Sequence, residues 1–280
     1  MFRIVTDGTA DVPLEWQREF DIQVIPANIM FGEKTFLQGV EMDNEAFYRM
    51  VDETHKIPTT SQPTPHQFIS FYHKIAQQGY TVLSIHVTSK LSGTVAAADV
   101  AAREVADYCK VVTFDSLTGS VGIAMLCREA RILERAGQGM EQILARLEEM
   151  RSRIGIVIVL DTLEYARMSG RVGALQAALA SILNVKPIAI VTDGAVNITE
   201  KVRTRRASLE RLLEIVKEQV GDRLVDIGVV HARDPKAGNE LMEQVRRTFT
   251  VNNLILSDMS ISVAANLGPG TVGIIFCPLE

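Results

Sequence analysis

Hydroxyl-bearing side chains gather in four short segments of this chain. The segments are Asp7-Gly8-Thr9-Ala10-Asp11, Thr59-Thr60-Ser61-Gln62, Thr88 to Thr94, and Asp115-Ser116. Hydroxyls beside the free N–H groups at a helix start suit a carboxylate or a phosphate, because the donors point at the anion and the helix dipole favours negative charge. A single Ser or Thr more often caps its own helix. Four such loops, interpreted as lying at the ends of successive strands, favour one shared anion site.

Basic side chains form a second group. Arg171 lies in a glycine-rich turn, Lys186 begins a strand, and Arg203, Arg205 and Arg206 cluster at the start of a predicted helix. Arginines at a helix N-terminus oppose the dipole unless an anion or an acidic partner compensates. These basic residues form either a solvated basic face or a patch that binds an anion or a partner, and the sequence allows both interpretations.

Motifs of other ligand classes are absent from the sequence, which has no P-loop, no Gly-x-Gly-x-x-Gly after a strand and no Gly-x-Ser-x-Gly elbow. His66 and His73 could share a helix face, but the five histidines lack the arrangement of zinc ligands. We therefore expect no metal and no cofactor. Gly268-Pro269-Gly270 is either a backbone nest for an anion or only a turn.

The elements that must position these residues alternate between strand and helix in the first half of the chain, which is typical of a parallel sheet with flanking helices. The second half begins with a continuous apolar strand, Ile154 to Leu160, and contains the hairpin signal Asp193-Gly194. The sequence predicts an α/β protein of two domains, 1–152 with a parallel sheet and 153–280 with a mixed sheet. Regular structure is not expected in Pro58 to Pro65, whereas Ala174 to Leu183 is a predicted helix.

The composition is that of a globular protein, with 280 residues, 47% of them hydrophobic. The net charge of −5 has the wrong sign for a dedicated nucleic-acid binder. Three cysteines without metal-ligand spacing indicate reduced thiols, and the sequence has neither a signal peptide nor an apolar run of membrane-spanning length. These features predict a cytoplasmic protein without a transmembrane segment.

Five motifs in order resemble the DegV family over nearly the whole chain. They are Thr6-Asp7-Gly8-Thr9-Ala10-Asp11, Pro58-Thr59-Thr60-Ser61-Gln62-Pro63, Ser89-Lys90-Leu91-Ser92-Gly93-Thr94, Leu163-Glu164-Tyr165 with Gly170-Arg171, and Leu267-Gly268-Pro269-Gly270. The resemblance implies two α/β domains with one long-chain fatty acid between them. It also implies a non-enzymatic subunit whose separate kinase partner phosphorylates the bound carboxylate, and the acyl phosphate then feeds phospholipid synthesis.

The same resemblance assigns the site. It implies that Thr60 and Ser92 hydrogen-bond the carboxylate, with Ser61 and Gly93 beside them and Asn266 as a further ligand. Arg171 and, more weakly, Arg203 would lie at the head-group mouth or on the surface for the partner.

This chain departs from the family pattern at two positions. Gly8 replaces the serine common in the first loop, and Asn266 replaces a histidine. An asparagine can donate a hydrogen bond but cannot carry a proton or a positive charge at neutral pH.

Two alternative functions remain open from the sequence. The protein could be a lipid carrier or sensor without phosphoryl transfer, an interpretation that Asn266 favours. It could also be an enzyme acting on a small anionic metabolite, with Asp7, Asp11 or Asp115 as the general acid or base. Val121 to Leu126 and Ala174 to Leu183 are candidate linings for an acyl tail, although such stretches more often fill a core. Chain length and saturation of the lipid and the oligomeric state are open, and transient contact with a membrane surface is allowed.

Overall fold

The computed structural model describes residues 2–171 and 185–279. Within it the chain forms two compact units, Met1–Ser152 and Arg153–Glu280. The predicted helix Ala174 to Leu183 lies outside the described residues.

The first unit is built on a four-stranded sheet in the order β2-β1-β6-β7. Its strands are β1 (Phe2–Asp7), β2 (Ile22–Ile25), β6 (Thr81–His86) and β7 (Val111–Asp115). Every neighbouring pair is parallel, as predicted from the alternation of strands and helices. Because parallel strands end at the same edge, Asp7, His86 and Asp115 lie at one edge of the sheet and the loops that follow them meet there.

Helices cover the two faces of this sheet. The helices of the unit are α1 (Leu14–Glu19), α2 (Asn44–Thr54), α3 (Pro65–Ala76), α4 (Thr94–Glu104), α5 (Val121–Arg135) and α6 (Met140–Arg153). Val5 and Val82 pack with α3 and α4, whereas Thr6, which alternates to the opposite face, interacts with Cys127 of α5. Val121 to Leu126, at the start of α5, are all buried.

A small second sheet corrects the expectation for Pro58 to Pro65. Strands β3 (Asn28–Phe31) and β4 (Lys34–Leu37) form an antiparallel hairpin, and β5 (Thr59–Ser61) adds to the free side of β3. The hydroxyl-rich segment is therefore a short strand in a separate sheet, not a loop after a strand of the parallel sheet. Prolines flank β5, which has three residues and pairs with β3 along one edge.

The second unit contains a six-stranded mixed sheet in the order β10-β9-β8-β13-β11-β12. Its strands are β8 (Gly155–Val159), β9 (Lys186–Thr192), β10 (Ala195–Val202), β11 (Val225–His231), β12 (Val251–Asp258) and β13 (Val272–Pro278). The predicted hairpin around Asp193-Gly194 joins β9 to β10. Among the described strands of this six-stranded sheet only the β11–β12 pair is parallel, and β13 lies antiparallel to both of its neighbours.

Helices α8 (Arg205–Val220) and α9 (Pro235–Thr248) pack their apolar side chains on this sheet. Two shorter helices, α7 (Glu164–Ser169) and α10 (Ile261–Leu267), contact each other. The predictions missed α7, α10 and β13. The Thr271 to Cys277 segment is a mostly apolar run, like the Ile154 to Leu160 strand, so the signal for β13 was present in the sequence.

Candidate functional site

The structure brings two of the predicted ligand segments together. A Cβ atom built on Gly93 would lie 2.7 Å from both the Nε2 and the Oε1 atoms of Gln62. The amide of Gln62, one residue beyond β5, therefore rests against the loop that carries Ser92. Asn28 fixes this arrangement from the hairpin side, because its Nδ2 atom donates to the carbonyl of Gln62 at 3.1 Å.

The start of α4 offers backbone donors to a ligand. Gly93 is its N-cap residue and provides no side-chain cap, and the first turn contains no acidic residue. The hydroxyl of Ser92 is hydrogen-bonded to that of Thr94 at 2.7 Å. The first four N–H groups of a helix have no partner within the helix, so this end is suited to an anion.

Helix α3 differs from α4, because a hydroxyl of its own N-cap residue caps its first turn. The Thr64 hydroxyl accepts from the N–H of Gln67, whose side chain accepts from the N–H of Thr64. Of the two adjoining helices, α4 is thus the one whose start has no side-chain cap.

The neighbouring residues Thr60 and Ser61 point to opposite faces of the small sheet, because side chains alternate along a strand. Thr60 is half-buried and Ser61 is exposed. The two hydroxyls cannot approach one carboxylate from the same side. The geometry favours Thr60 over Ser61 as the side-chain ligand of one head group.

A buried polar chain lies beneath these loops. Asp7 accepts hydrogen bonds from the Nδ1 atom of His86 and the N–H of Val87, each at 3.0 Å, and from both the N–H and the hydroxyl of Thr9. Burial by itself raises the pKa of Asp7. The hydrogen bonds that Asp7 accepts from His86, Thr9 and Val87 favour its ionised form, and its pKa lies below the ordinary value of 3.8. Asp7 is therefore a poor general base.

The other two aspartates considered as acid–base groups also hold loops. Asp115 accepts from the N–H groups of Ser89 and Leu117, and Asp11 accepts from the Ser120 hydroxyl. These bonds tie the loops after β1, β6 and β7 to one another. The carboxylates are structural partners of the loops, which disfavours the small-metabolite enzyme.

Gly8, where the family commonly has serine, is closely packed. Its carbonyl accepts from the Nε2 atom of Gln38 at 2.6 Å, and a Cβ at this position would lie 2.8 Å from that same atom. The Gln38 amide occupies the space that a serine side chain would need.

The remaining predicted ligands belong to the second unit. Asn266 is on α10, and its Nδ2 atom donates to the carbonyl of Ser262 one turn earlier. The N–H groups of Gly268 and Gly270 donate to the carbonyls of Ala264 and Ala232, each at 2.8 Å. These two donors are already used, so Gly268-Pro269-Gly270 is a turn and the anion-nest interpretation is wrong.

The basic residues of the second unit divide into exposed and paired groups. Arg171 is exposed just after α7, where its guanidinium donates to the carbonyl of Ser169, and Arg203 is exposed before α8. Arg205 pairs with Asp234 at 3.3 Å and Arg206 with Glu210 at 2.9 Å. Asp234 and Glu210 thus compensate the positive charges of Arg205 and Arg206 at the start of α8. The basic segment is therefore not an open cationic patch.

Two features of residues 2–171 and 185–279 bear on ligand classes. No group of three or more His, Cys, Asp or Glu side chains there is arranged to hold a metal ion. None of the helices in the same ranges is long and apolar enough to span a bilayer.

A parallel-sheet unit followed by a mixed-sheet unit defines the class as a two-unit α/β protein, as predicted. The family model described as "Uncharacterised protein, DegV family" matches residues 1–279, and the chain belongs to the DegV family. Protein DegV of Bacillus subtilis is 29% identical over 276 residues, covering 98% of each chain. A DegV domain-containing protein of Listeria innocua is 30% identical over 273 residues, covering 97% of this chain and 96% of the relative.

Solved structures of relatives share the fold. A fatty-acid-binding DegV family protein from Thermus thermophilus has a TM-score of 0.92 at 28% identity, covering 99% of each chain. DegV of Bacillus subtilis, a fatty acid binding protein, has a TM-score of 0.89 at 29% identity and the same coverage. A stearic-acid-binding protein from Eubacterium ventriosum has a TM-score of 0.91 at 25% identity, covering 99% of this chain and 98% of the relative.

Proposed function

We propose that this protein binds one long-chain fatty acid, with the carboxylate held by the hydroxyls of Thr60 and Ser92 and by N–H groups at the start of α4, including that of Gly93. The contact between Gln62 and Gly93 carries the proposal, because it places the Thr60 segment against the uncapped helix start. The similarity to solved fatty-acid-binding relatives supports the same ligand class.

The tail and the head group of the fatty acid make different contributions to the binding free energy. Burying a chain of about sixteen carbons at about 0.8 kcal/mol per CH₂ offers roughly 12 kcal/mol before ordering costs. Hydrogen bonds to a carboxylate contribute about 1.5–3 kcal/mol each. Affinity would thus come mainly from the tail, and the hydroxyls would fix the position of the head. The buried start of α5 supplies candidate lining residues.

The finer part of the proposal is that the bound carboxylate is presented to a separate kinase subunit, which forms the acyl phosphate for phospholipid synthesis. The protein is then a cytoplasmic binding subunit and not itself an enzyme. Arg171 and Arg203 are the candidate cations for the head-group mouth or the kinase surface, since both are exposed.

One observation favours a second candidate, a lipid carrier or sensor without phosphoryl transfer. Asn266 cannot be charged at neutral pH, and its amide nitrogen already donates to the carbonyl of Ser262. A residue engaged in this way is less able to serve a reacting carboxylate.

The binding proposal is tested by denaturing the purified protein, extracting it with solvent and identifying the released molecules by mass spectrometry. We expect one long-chain fatty acid per chain. A protein that releases no fatty acid, and takes none up from a mixture of fatty acids, contradicts the proposal. Incubating the loaded protein with a cognate fatty acid kinase subunit and ATP then separates the two candidates, since acyl phosphate forms only in the first.

A further inference from the structure

The chain of polar side chains that begins at Asp7 continues away from the proposed carboxylate site. The Nε2 atom of His86 lies 2.7 Å from the hydroxyl oxygen of Ser84, which lies 2.8 Å from the phenol oxygen of Tyr72. All four residues are buried, and His86 and Tyr72 have no exposed surface. Buried polar groups are costly unless every donor and acceptor is paired.

One arrangement of protons satisfies every link of this chain. Burial raises the pKa of Tyr72, so its hydroxyl keeps a proton to donate to Ser84. The Ser84 hydroxyl then donates to Nε2 of His86, and the neutral ring donates from Nδ1 to the Asp7 carboxylate. A proton added at Nε2 would reverse both hydroxyls and leave that of Tyr72 without its acceptor. The network is therefore complete with a neutral His86 and an ionised Asp7.

The position of His86 links three segments of the first unit. Asp7 holds the loop after β1 through Thr9 and the loop after β6 through Val87. The imidazole ring packs edge-on against Phe68 of α3, with ring centroids 5.1 Å apart. Helix α3 follows directly after the Thr60 segment.

The loop after β6 passes this constraint on to Ser92. The N–H groups of Leu91 and Ser92 donate to the carbonyl of Thr88, which adjoins Val87. We propose that His86 is a positioning residue, an inference that rests on the proposed fatty-acid site. His86 holds the loops after β1 and β6 against α3, in the spacing at which Thr60 and Ser92 face one carboxylate.

Three substitutions distinguish positioning from a contribution to stability alone. His86→Gln keeps an amide near the Nε2 position but removes the donor to Asp7. His86→Asn places its amide near the Nδ1 position and retains that donor. Tyr72→Phe removes the far end of the chain, costs stability through the same network and leaves the link between His86 and Asp7 intact.

The first measurement is the affinity of each variant for a fatty acid. It is made at a temperature at which thermal unfolding curves show that all variants are folded. We expect His86→Gln to bind about tenfold more weakly, comparable to the loss of an outer-shell partner at a metal site. His86→Asn recovers most of the affinity, and Tyr72→Phe binds within about twofold of wild type. The proposal would be overturned if His86→Gln and Tyr72→Phe lost the same amount of fatty-acid affinity while losing the same amount of unfolding free energy.

The second measurement needs no ligand and keeps this proposal separate from the binding proposal. Amide hydrogen exchange of the lipid-free protein should be faster in His86→Gln than in wild type over residues 8–12 and 87–93, but unchanged in these segments in Tyr72→Phe. Unchanged exchange in His86→Gln contradicts the positioning role. A wild-type protein that fails to bind fatty acid contradicts the proposed function, and the exchange result still decides whether His86 holds the loops.

Discussion

The side-chain amide of Gln62 occupies the space where a side chain at position 93 would begin, with both of its terminal atoms 2.7 Å from a Cβ built on Gly93. Because Gln62 follows β5 and Gly93 begins α4, this contact joins two segments far apart in sequence. The absence of a side chain at position 93 is a condition for their close approach.

Gly93→Ala should therefore weaken fatty-acid binding by displacing Gln62, with a small effect on stability since the end of a glutamine side chain can move. The Gly93→Ala/Gln62→Ala double variant should recover part of the affinity, because it removes the obstructing amide. Isothermal titration with a long-chain fatty acid measures both effects. Gly119→Ala is the matched control, since nothing lies within 4 Å of a Cβ there. Equal affinities for Gly93→Ala and Gly119→Ala would show that the contact has no role in binding.

Thr60→Val and Ser92→Ala should each reduce affinity for a long-chain fatty acid about tenfold, since a hydrogen bond to a charged group contributes about 1.5–3 kcal/mol. Ser61→Ala is the control on the same strand, because its exposed side chain points to the opposite face. Competition with a fluorescent fatty acid measures all three. If Ser61→Ala loses as much affinity as Thr60→Val, the assignment of faces to the ligand is wrong.

Asp7→Asn should destabilise the protein by about 3 kcal/mol at pH 7, because an amide cannot accept from all four donors around Asp7. The pKa of Asp7 in the folded protein lies below 3.8, so its stabilising contribution is complete above that value and is lost as the pH falls through the lower, folded pKa. The difference between wild type and variant in denaturant unfolding should consequently shrink as the pH is lowered below about 4.

Asp115→Asn provides the comparison for this measurement. Asp115 is half-buried, and the amide oxygen can still accept from the N–H of Leu117, so the loss should be smaller than at Asp7. A difference for Asp7→Asn that is the same at pH 7 and pH 3 would mean that the Asp7 charge contributes nothing.

Asn266→His should increase acyl phosphate formation by a cognate fatty acid kinase subunit if the wild-type asparagine limits transfer. The imidazole can exchange a proton near neutral pH, which an amide cannot. Trapping the acyl phosphate with hydroxylamine measures the product, and Asn266→Gln controls for side-chain size. Equal yields for wild type and Asn266→His would show that residue 266 does not limit the reaction.

The three thiols should be unreactive towards a disulfide reagent in the native protein and should react at three per chain in denaturant. Cys109, Cys127 and Cys277 are buried and form no disulfide, and burial raises the pKa of Cys109 and Cys127, which keeps both thiols protonated. Absorbance of the released thiol measures the count. Rapid reaction of one thiol before unfolding would contradict the buried environment.

Local sequence patterns predicted much of the fold. The parallel first sheet followed from apolar runs alternating with amphipathic helices, and Asp193-Gly194 located the β9–β10 hairpin. β13 was missed because Val272–Pro278 follows a glycine-rich turn and has no later helix to define it as part of a repeating pattern. β5 was missed because its three residues lie between prolines and are stabilised by pairing with β3.

The site was predictable in its residue types but not in its contacts. Hydroxyl segments and motif order indicated Thr60, Ser92 and Gly93. The role of Gln62 depends on a tertiary contact, and the opposite orientations of Thr60 and Ser61 appear only once β5 is recognised as a strand. The role of His86 has no local sequence signal, because its partner Asp7 lies on another strand, 79 residues away in the sequence.

The central location of β13 has a consequence for synthesis on the ribosome. The parallel sheet of the first unit is complete once Asp115 has emerged, so this unit can begin to fold early. The second sheet needs β13 between β8 and β11, and Val272–Pro278 is translated after every other strand of that sheet. Until those residues emerge, β8 and β11 each have an unpaired backbone edge, which makes this nascent half the more vulnerable to mispairing and to chaperone capture.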